Sequence, residues 1–463
     1  MSVTDDLQPS SKSGGPPAVG ERSQQAYRRA RAVFPDGTTR ISIERDPLPR
    51  YVSRGDGAYL WDLDDRRFLD LNNNYTTLIH GHAYAPVAET LTRQLADGSC
   101  FANPTESEIA LAGLLCERIP HIDRVRFMNS GTEAVMFAIK AARAYSGRPA
   151  IAKIEGAFHG SYDWAEVGQA STPDNWGSAQ QPASTAFYRG MPQSVLDDVV
   201  ILPLNAIDIA RKLLRQHAGR LAALLLDPMP SRAGLIALDP DYIAAISEIC
   251  NACGILIISD EVLNLRQSYR GAAHRYGLKA DLFSLGKIIG GGLPIGAVGG
   301  REEVMTVFDG SRGRPALPQG GTFSANPLSM AAGYAAMAAL DDAAFAHLES
   351  LGDHIRDGLS AAIERHDAPF SVTGAASLLR LHPRRSAPRN FREAFLTPAG
   401  KAAMTALSRF YGHHGVLLPR ETCASLSTPM TVTDARHVVA VFDAFLAEQR
   451  ELFPTLERDG AAP

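Results

Sequence analysis

The chain has 463 residues, of which 45% are hydrophobic and 21% are charged, so it can bury a large core and form more than one domain. Its formal net charge of −4 gives no overall basic field, which argues against nucleic-acid binding. No apolar run approaches the roughly 18 residues that a membrane helix needs, and the N-terminus lacks the apolar core of a signal peptide. We therefore expect a cytoplasmic protein without a membrane partner.

The predicted elements begin after a polar tail. Residues 1–22 are rich in Ser, Gly and Pro and are predicted to be disordered. An amphipathic helix is expected in RSQQAYRRARAVF, followed by a strand pair in YVSRGDGAYLWDLDDRRFLDL with turn signals at Gly55-Asp56-Gly57 and Asp64-Asp65. We assign residues 23–70 to a small domain, which this N-terminal segment would share with the C-terminal part of the chain.

Strand-like and helical runs alternate from residue 71 to residue 325. The strand-like runs are VRFMNS, AIAKIE, VVILP, LAALLLD, GILIISD, LFSLG and IGAVGG. This alternation predicts an α/β fold, a large domain whose mainly parallel sheet is covered by helices. Residues 326–463 start with a long helix and continue with mixed elements such as LLRLHP and ASLSTPM, which we assign to a smaller α+β domain.

Two charged residues stand at the ends of apolar runs in the large domain. Lys287 lies in FSLGKIIGGGLPIGAVGG, on a glycine-rich turn where desolvation would lower its pKa and suit Schiff-base chemistry. Asp260 ends the buried run ILIIS, where a carboxylate can hold a pyridinium nitrogen protonated. Each residue alone also fits an ordinary charge at the end of an element. Together they indicate pyridoxal phosphate.

Three further motifs occur in a fixed order. The run Asn129-Ser130-Gly131-Thr132-Glu133-Ala134, between a strand and a helix, can bind a phosphate through its amides, although it also fits a plain helix N-cap. The run Gly156-Ala157-Phe158-His159-Gly160 places an aromatic ring and a histidine where they can lie against a planar ring. The loop GGTFSANP, from Gly320 to Pro327, offers a further hydroxyl before a helix.

With these motifs the chain resembles the class III aminotransferases of fold type I, over roughly residues 25–450. The resemblance is to the branch of glutamate-1-semialdehyde aminomutase and the β-amino-acid (β-phenylalanine) aminotransferases. It implies that Lys287 and Asp260 are catalytic, Lys287 as the Schiff-base lysine and Asp260 on the pyridinium nitrogen. The other cofactor-binding residues that it implies are Ser130, Gly131, Thr132, Phe158, His159, Val262 and Thr322. Thr322 would reach the phosphate of the neighbouring subunit's cofactor, which implies a homodimer.

The resemblance also implies substrate-binding residues, namely Arg40, Tyr75, Asp227 and Arg420. A guanidinium meets a carboxylate in bidentate geometry, so the two arginines favour an amino acid as the amino donor, although a Pro-Arg in a loop is also an ordinary surface charge. Two positions depart from the family pattern: Phe158 stands where relatives usually have tyrosine, and Asp227 where they usually have glutamate. Both departures concern substrate details.

The expected activity is therefore transfer of an amino group from an amino acid to a keto acid such as 2-oxoglutarate or pyruvate. A β-amino acid is the candidate amino donor. The same residues also fit an aminomutase or a racemase, while an intact Lys287 argues against a non-catalytic regulator. The polar insertion of residues 171–193 can shape specificity or form a surface loop. Cys250-x-x-Cys253 and His413-His414 lack the companions of a metal site, so we expect no metal.

Overall fold

A computed structural model describes residues 19–420 and 423–460, so most of the predicted tail lies outside the described residues. The first helix begins at Glu21, just inside the segment predicted to be disordered. The helices are α1 (Glu21–Ala30), α2 (Asn73–Thr76), α3 (Ala85–Asp97), α4 (Glu106–Arg118), α5 (Gly131–Ser146), α6 (Asp163–Glu166), α7 (Gln193–Asp197), α8 (Ile207–His217), α9 (Pro240–Cys253), α10 (Ala272–Arg275), α11 (Glu302–Met305), α12 (Pro327–Ala338), α13 (Asp342–His366), α14 (Phe391–Ala394), α15 (Pro398–His413), α16 (Val432–Glu448) and α17 (Phe453–Gly460).

The strands alternate with these helices through the middle of the chain. They are β1 (Val52–Asp56), β2 (Tyr59–Asp62), β3 (Arg67–Asp70), β4 (Arg124–Met128), β5 (Ala150–Ile154), β6 (Gly177–Ser178), β7 (Gln181–Pro182), β8 (Val199–Leu202), β9 (Leu221–Leu226), β10 (Leu256–Asp260), β11 (Leu282–Gly286), β12 (Gly296–Gly300), β13 (Ser371–Thr373), β14 (Leu378–His382), β15 (Val416–Leu417) and β16 (Ala424–Ser425).

The largest sheet has seven strands in the order β4-β12-β11-β10-β9-β5-β8. The strands from β11 to β8 run parallel, and β12 is antiparallel to both of its neighbours. This confirms the predicted α/β fold with a mainly parallel sheet. Parallel strands place their carboxyl ends at one edge, so the loops after β5, β9, β10 and β11 meet there.

Both faces of this sheet are buried. In β9, for example, Leu224 and Leu226 join one apolar cluster while Leu225 joins the cluster on the opposite face. A strand covered on both sides needs apolar residues at successive positions, which explains why LAALLL is apolar without alternation. The helices that cover the sheet thus hold its carboxyl edge in a fixed position.

The N-terminal segment forms three strands, where the sequence predicted a pair. Asp62 ends β2, and its carboxylate accepts hydrogen bonds from the amides of Asp64 and Arg66, both at 3.0 Å. This tight turn separates β2 from β3, so the second turn signal marks a further strand. The strand β3 then pairs in parallel with β15 from the C-terminal part, Leu69 lying opposite Val416. The small domain that we propose requires this pairing.

A separate sheet, β13-β14-β16, lies in the C-terminal part. The domain boundaries at residues 70/71 and 325/326 stay a proposal. Within the described residues, no helix is long and apolar enough to cross a membrane.

Candidate active site

Asp260 and Lys287 lie on neighbouring strands at the carboxyl edge of the large sheet. Asp260 is the last residue of β10 and pairs in register with Ser284 of β11. Lys287 follows the last residue of β11 directly. The sheet therefore brings together the two residues that the sequence proposes as catalytic.

The Asp260 carboxylate is held from three sides. Its Oδ1 accepts from Ser284 Oγ at 2.9 Å and from the Val262 amide at 3.1 Å. Its Oδ2 lies 2.7 Å from His159 Nδ1. Burial lowers the pKa of His159, so the imidazole is neutral near pH 7 and its Nδ1–H can donate to the carboxylate. These contacts fix where the carboxylate points.

Lys287 occupies a strained position with a φ of 51°. Positive φ is uncommon for a residue with a long side chain, and such positions often occur where function requires them. Burial lowers the pKa of Lys287, and the nearby carboxylates of Asp260 and Asp227 act in the opposite direction. An amine with a lowered pKa can lose its proton near neutral pH, as a Schiff-base lysine must.

The motif NSGTEA forms the end of β4 and the start of α5. Ser130 is the N-cap, since its hydroxyl accepts the Glu133 amide at 3.1 Å, while the Glu133 carboxylate accepts the Asn129 amide at 2.5 Å. The plain N-cap that the sequence allowed is therefore present. The amides of Gly131 and Thr132 belong to the first helical turn, where intrahelical partners are absent and an anion is favoured. The structure is therefore compatible with both interpretations of the motif, a helix N-cap and a phosphate-binding turn.

The predicted motifs contact one another around this helix start. A Cβ at Gly131 would lie 2.7 Å from Val262, and one at Gly160 would lie 2.6 Å from the Thr132 hydroxyl. The Ser161 amide donates to the same hydroxyl at 3.2 Å. The glycines are therefore required where NSGTEA, SDEV and GAFHG come together.

The residues present fit pyridoxal phosphate. The Phe158 side chain is 44% exposed, which leaves ring area for stacking against a planar group. His159 Nε2 is buried and has no hydrogen-bond partner among the described residues. The first turn of α5 suits a phosphate, while Asp260 and Lys287 provide a carboxylate and an amine for the ring.

Thr322 is exposed in the loop that precedes α12. This loop runs past the NSGTEA motif of the same chain: Gln319 Nε2 donates to the Phe127 carbonyl at 3.2 Å, and a Cβ at Gly321 would lie 3.8 Å from Asn129 Nδ2. The phosphate that Thr322 would contact, in its own subunit or in a partner, stays a prediction.

Two clefts flank Tyr75 on the side of the N-terminal segment. A cleft of about 330 Å³ is lined by Arg40, Asn74 and Tyr75, and one of about 720 Å³ by Tyr75, Arg232 and Arg420, among others. The Arg232 guanidinium lies 4.7 Å from the centre of the Phe158 ring, which links the larger cleft to the predicted cofactor site. The structure thus brings three of the four predicted substrate residues to the rims of adjoining clefts.

The two predicted substrate arginines differ in their partners. Arg40 Nη1 donates to the neutral Asn74 side chain at 3.1 Å, and Arg40 Cζ lies 5.4 Å from the Tyr75 ring centre. Arg420 instead forms ion pairs with Glu44 at 3.2 Å and Asp46 at 3.3 Å. A substrate carboxylate would have to compete with these two acids for Arg420.

Asp227 has different partners from those that a substrate-binding role suggests. It is buried, and its carboxylate accepts from the Met229 amide at 2.9 Å and from the Asn264 side chain. The described residues that line the two clefts do not include Asp227. Burial first, and then the neighbouring Asp260, raise the pKa of Asp227 well above its usual range.

Several residues of the site escaped the sequence analysis. They are Asn74, Arg232, Asn264 and Ser284. Ser284 could have been noticed as a polar residue in the apolar strand LFSLG, and Asn264 as a polar residue just after SDEV. The role of Arg232 depends on a contact with Phe158 across more than 70 positions of sequence, which no local pattern indicates.

Comparisons with known proteins identify relatives along nearly the whole chain. The family model "Aminotransferase class-III" matches residues 41–436. Glutamate-1-semialdehyde 2,1-aminomutase 2 of Halalkalibacterium halodurans is 31% identical over 449 residues, which cover 95% of this chain and 99% of that protein. An omega-transaminase from Sphaerobacter thermophilus has a TM-score of 0.90 and 45% identity, covering 93% of this chain and 98% of that one. A β-phenylalanine aminotransferase from Variovorax paradoxus has a TM-score of 0.84 and 30% identity, covering 93% and 95%.

Proposed function

Because the chain belongs to the class III aminotransferases, which are pyridoxal-phosphate-dependent enzymes of fold type I, we propose that it moves the amino group of a β-amino acid to a keto acid such as 2-oxoglutarate or pyruvate. The observation that carries the choice of donor is Arg40, a cleft-lining arginine whose side chain meets a neutral amide and an aromatic ring. Such a guanidinium keeps its charge available for a substrate carboxylate. The similarity to an omega-transaminase and to a β-phenylalanine aminotransferase supports a donor whose amine is not on the α-carbon.

Each residue of the site has a proposed task. Pyridoxal phosphate, when bound, carries the amino group between the two substrates and accepts electron density from the carbon that loses a proton. Lys287 Nζ would take the proton from that substrate carbon and pass it on to the cofactor, which its lowered pKa permits. Asp260, oriented by Ser284 and His159, would keep the ring nitrogen protonated. The amides of Gly131 and Thr132 would hold the phosphate, and Phe158 and Val262 would contact the ring.

The proposed enzyme is a homodimer in which Thr322 serves the phosphate of the neighbouring subunit, as the family resemblance implies. Exposure of Thr322 supports this assignment. The cytoplasmic location expected from the sequence belongs to the same proposal.

An aminomutase is the second candidate, supported by the curated relative of that name. An aminomutase would isomerise its substrate without a separate keto acid, so the two candidates differ in whether one substrate alone completes a cycle. A racemase differs in the same way.

The test is a single turnover of the purified holoenzyme with individual amines and no keto acid. The panel contains β-phenylalanine, α-phenylalanine and 1-phenylpropylamine, which replaces the carboxylate of β-phenylalanine with a methyl group. We expect β-phenylalanine to convert the cofactor from its aldehyde form to its amine form, measured by absorbance, far faster than 1-phenylpropylamine does. If no amine converts the cofactor while glutamate-1-semialdehyde is isomerised, the aminomutase is correct and the aminotransferase proposal is wrong.

A further inference from the structure

The four residues of the short element α2, just before α3, adopt a left-handed conformation in place of the usual right-handed one. Residues 73–76 have φ angles of 48°, 49°, 56° and 73°. The Thr76 amide donates to the Asn72 carbonyl at 2.9 Å and the Thr77 amide donates to the Asn73 carbonyl at 2.9 Å, as in one turn of a left-handed helix. L-residues visit this region singly, and tyrosine and threonine rarely do. We call residues 73–76 the left-handed turn.

Residues outside the turn, two of them remote in sequence, hold it in place. The Asp70 carboxylate accepts the Asn73 amide at 3.0 Å, and the Asn73 side chain donates to the Ser425 carbonyl at 2.8 Å. Arg266, which is fully buried, donates to the Thr76 carbonyl at 2.9 Å. A strained conformation persists only where its surroundings determine it from several sides, and such conformations cluster at functional sites.

The left-handed turn presents two side chains to the N-terminal segment. Asn74 Oδ1 accepts a hydrogen bond from Arg40 Nη1, and the Tyr75 ring lies beside the same guanidinium. The Tyr75 hydroxyl donates to the Ser42 carbonyl at 2.7 Å, so it also fixes the backbone just after Arg40. Without these contacts Arg40, which is exposed, would be a mobile side chain.

We propose that the left-handed turn is a positioning device for the substrate carboxylate, in which Asn74 and Tyr75 hold the Arg40 guanidinium ready for it. The inference rests on the proposed function, because it assumes that Arg40 binds the carboxylate of the amino donor. Both partners are neutral, so they restrict the arginine without cancelling its charge, whereas Arg420 is already paired with Glu44 and Asp46. Asn74 and Tyr75 act through Arg40 and are positioning residues.

The first test compares Asn74→Gly with Asn74→Asp in the holoenzyme. Glycine accepts the left-handed conformation, so Asn74→Gly removes the hydrogen bond while the turn keeps its shape and the melting temperature does not fall. We expect KM for β-phenylalanine to rise roughly tenfold with kcat little changed, and the kinetics of 1-phenylpropylamine to stay as in the wild type. Asn74→Asp should raise KM further, because its carboxylate would pair with Arg40 and compete with the substrate.

The matched control is His121→Gly. His121 is also a left-handed residue, with a φ of 70°, but it is exposed and precedes β4, at the opposite end of that strand from NSGTEA. Its replacement should leave the kinetics of both amines unchanged. A structural role for Asn74 alone would affect both amines to the same extent. Equal effects on the two amines would therefore overturn the proposal.

The second test is a double-mutant cycle that combines Asn74→Gly with Arg40→Gln. The affinity for 3-phenylpropionate, measured by calorimetry, is the readout. This ligand has the carboxylate and the ring of β-phenylalanine but no amine. If Asn74 acts through Arg40, adding Asn74→Gly to Arg40→Gln causes no further loss of affinity. Additive losses would overturn the proposal. If the wild-type enzyme does not prefer β-phenylalanine over 1-phenylpropylamine, the proposed function is overturned as well. If that preference is present and survives Asn74→Gly, only this inference is overturned.

Discussion

Two buried acids stand beside Asp260 at the carboxyl edge of the sheet. Asp227 follows β9, the strand next to β10, and Glu261 follows Asp260 itself. Burial raises the pKa of Glu261 to about 7, and burial together with Asp260 raises the pKa of Asp227 well above its usual range. The raised pKa of Asp227 favours its protonated form. In that form its carboxyl group is a neutral hydrogen-bonding group beside the proposed catalytic aspartate.

Replacement of Asp227 by asparagine should consequently have little effect on turnover. A protonated acid and an amide both offer an acceptor for the Met229 amide and the Asn264 side chain. We expect Asp227→Asn to keep turnover within about threefold, and Asp227→Ala to lose about 1–3 kcal/mol of stability because buried donors lose their acceptor. Steady-state kinetics and thermal unfolding of both variants measure this. Loss of turnover in Asp227→Asn equal to that in Asp227→Ala would mean that the negative charge is needed.

Lys153 binds the backbone of the loop that carries Phe158, the predicted ring-stacking residue. Its side chain is fully buried, and Nζ donates to the Ala157 carbonyl at 3.0 Å and to the Val167 carbonyl at 2.8 Å. Ala157 directly precedes Phe158, so this lysine fixes the backbone next to the stacking ring. Burial lowers the pKa of Lys153 from 10.5 to about 7.

This lowered pKa makes stability depend on pH in a specific direction. A base whose pKa is lower in the folded state contributes fully above its unfolded pKa of 10.5, and the contribution is lost as pH falls to about 7. We expect the free energy of unfolding to fall by on the order of 1 kcal/mol per pH unit across this window, and Lys153→Met to remove that slope. Urea unfolding between pH 7 and about pH 10 measures it, with a Lys212→Met variant as the control, since Lys212 on α8 is exposed. An unchanged slope in Lys153→Met would contradict the assignment.

Arg392 of α14 connects the insertion of residues 171–193 to α14 and to the end of β5. The Arg392 guanidinium contacts the buried Glu155 at the end of β5 at 2.9 Å. It also donates to the carbonyls of Trp176 at 2.8 Å, Gly177 at 2.9 Å and Ser178 at 3.1 Å. The Trp176 ring meets Phe391 and Phe395 edge-on, and both of these phenylalanines line the larger cleft. Of the two possibilities for the insertion, a role at the cleft wall has this support.

Loss of this contact should loosen the hairpin β6-β7. We expect Arg392→Gln to cost on the order of 3 kcal/mol, because Glu155 would be left buried without its partner, and to speed hydrogen exchange around Trp176. The double variant with Glu155→Gln should lose less than the sum of the two single variants. The control is Arg389→Gln, which breaks an exposed ion pair with Glu393 and should cost less than about 1 kcal/mol. Exchange in Arg392→Gln that matches the control would contradict the role of Arg392.

Long elements were predictable from the sequence, while the left-handed turn was not. The strands β9, β10 and β11 follow from apolar runs, because buried parallel strands need them whatever lies nearby. The turn at residues 73–76 depends on Ser425 and Arg266, which are remote in sequence, so no local pattern in NNYT indicates it. For the same reason Lys287 and Asp260 were identifiable from their positions after strands, whereas the partners of Arg40 and Arg420 were not.

At the scale of the whole molecule, three helices that pack together carry exposed apolar residues. The helix α12 packs against α3 and α4. Leu95, Ile109 and Tyr334 on these three helices, together with Phe323 beside Thr322, are between 44% and 61% exposed. Exposed apolar residues concentrated on neighbouring elements are typical of a protein interface. These exposed residues support the proposed homodimer.

A mixed dimer tests whether Thr322 serves the neighbouring subunit or its own. Thr322→Ala should weaken cofactor binding roughly tenfold through loss of a hydrogen bond to the phosphate, and Lys287→Ala should abolish turnover. Co-expression of the two variants with different tags yields a heterodimer that can be purified. If Thr322 acts across the interface, the subunit that keeps Lys287 receives an intact threonine from its neighbour, so one of the two sites is complete and about half of the wild-type activity returns at low cofactor concentration. If Thr322 acts within its own chain, every site lacks one of the two residues, and the heterodimer stays as impaired as the parent variants. This second result would overturn the proposed contact across the interface, and the loop geometry permits it, because Gly321 lies near the Asn129 side chain of the same chain.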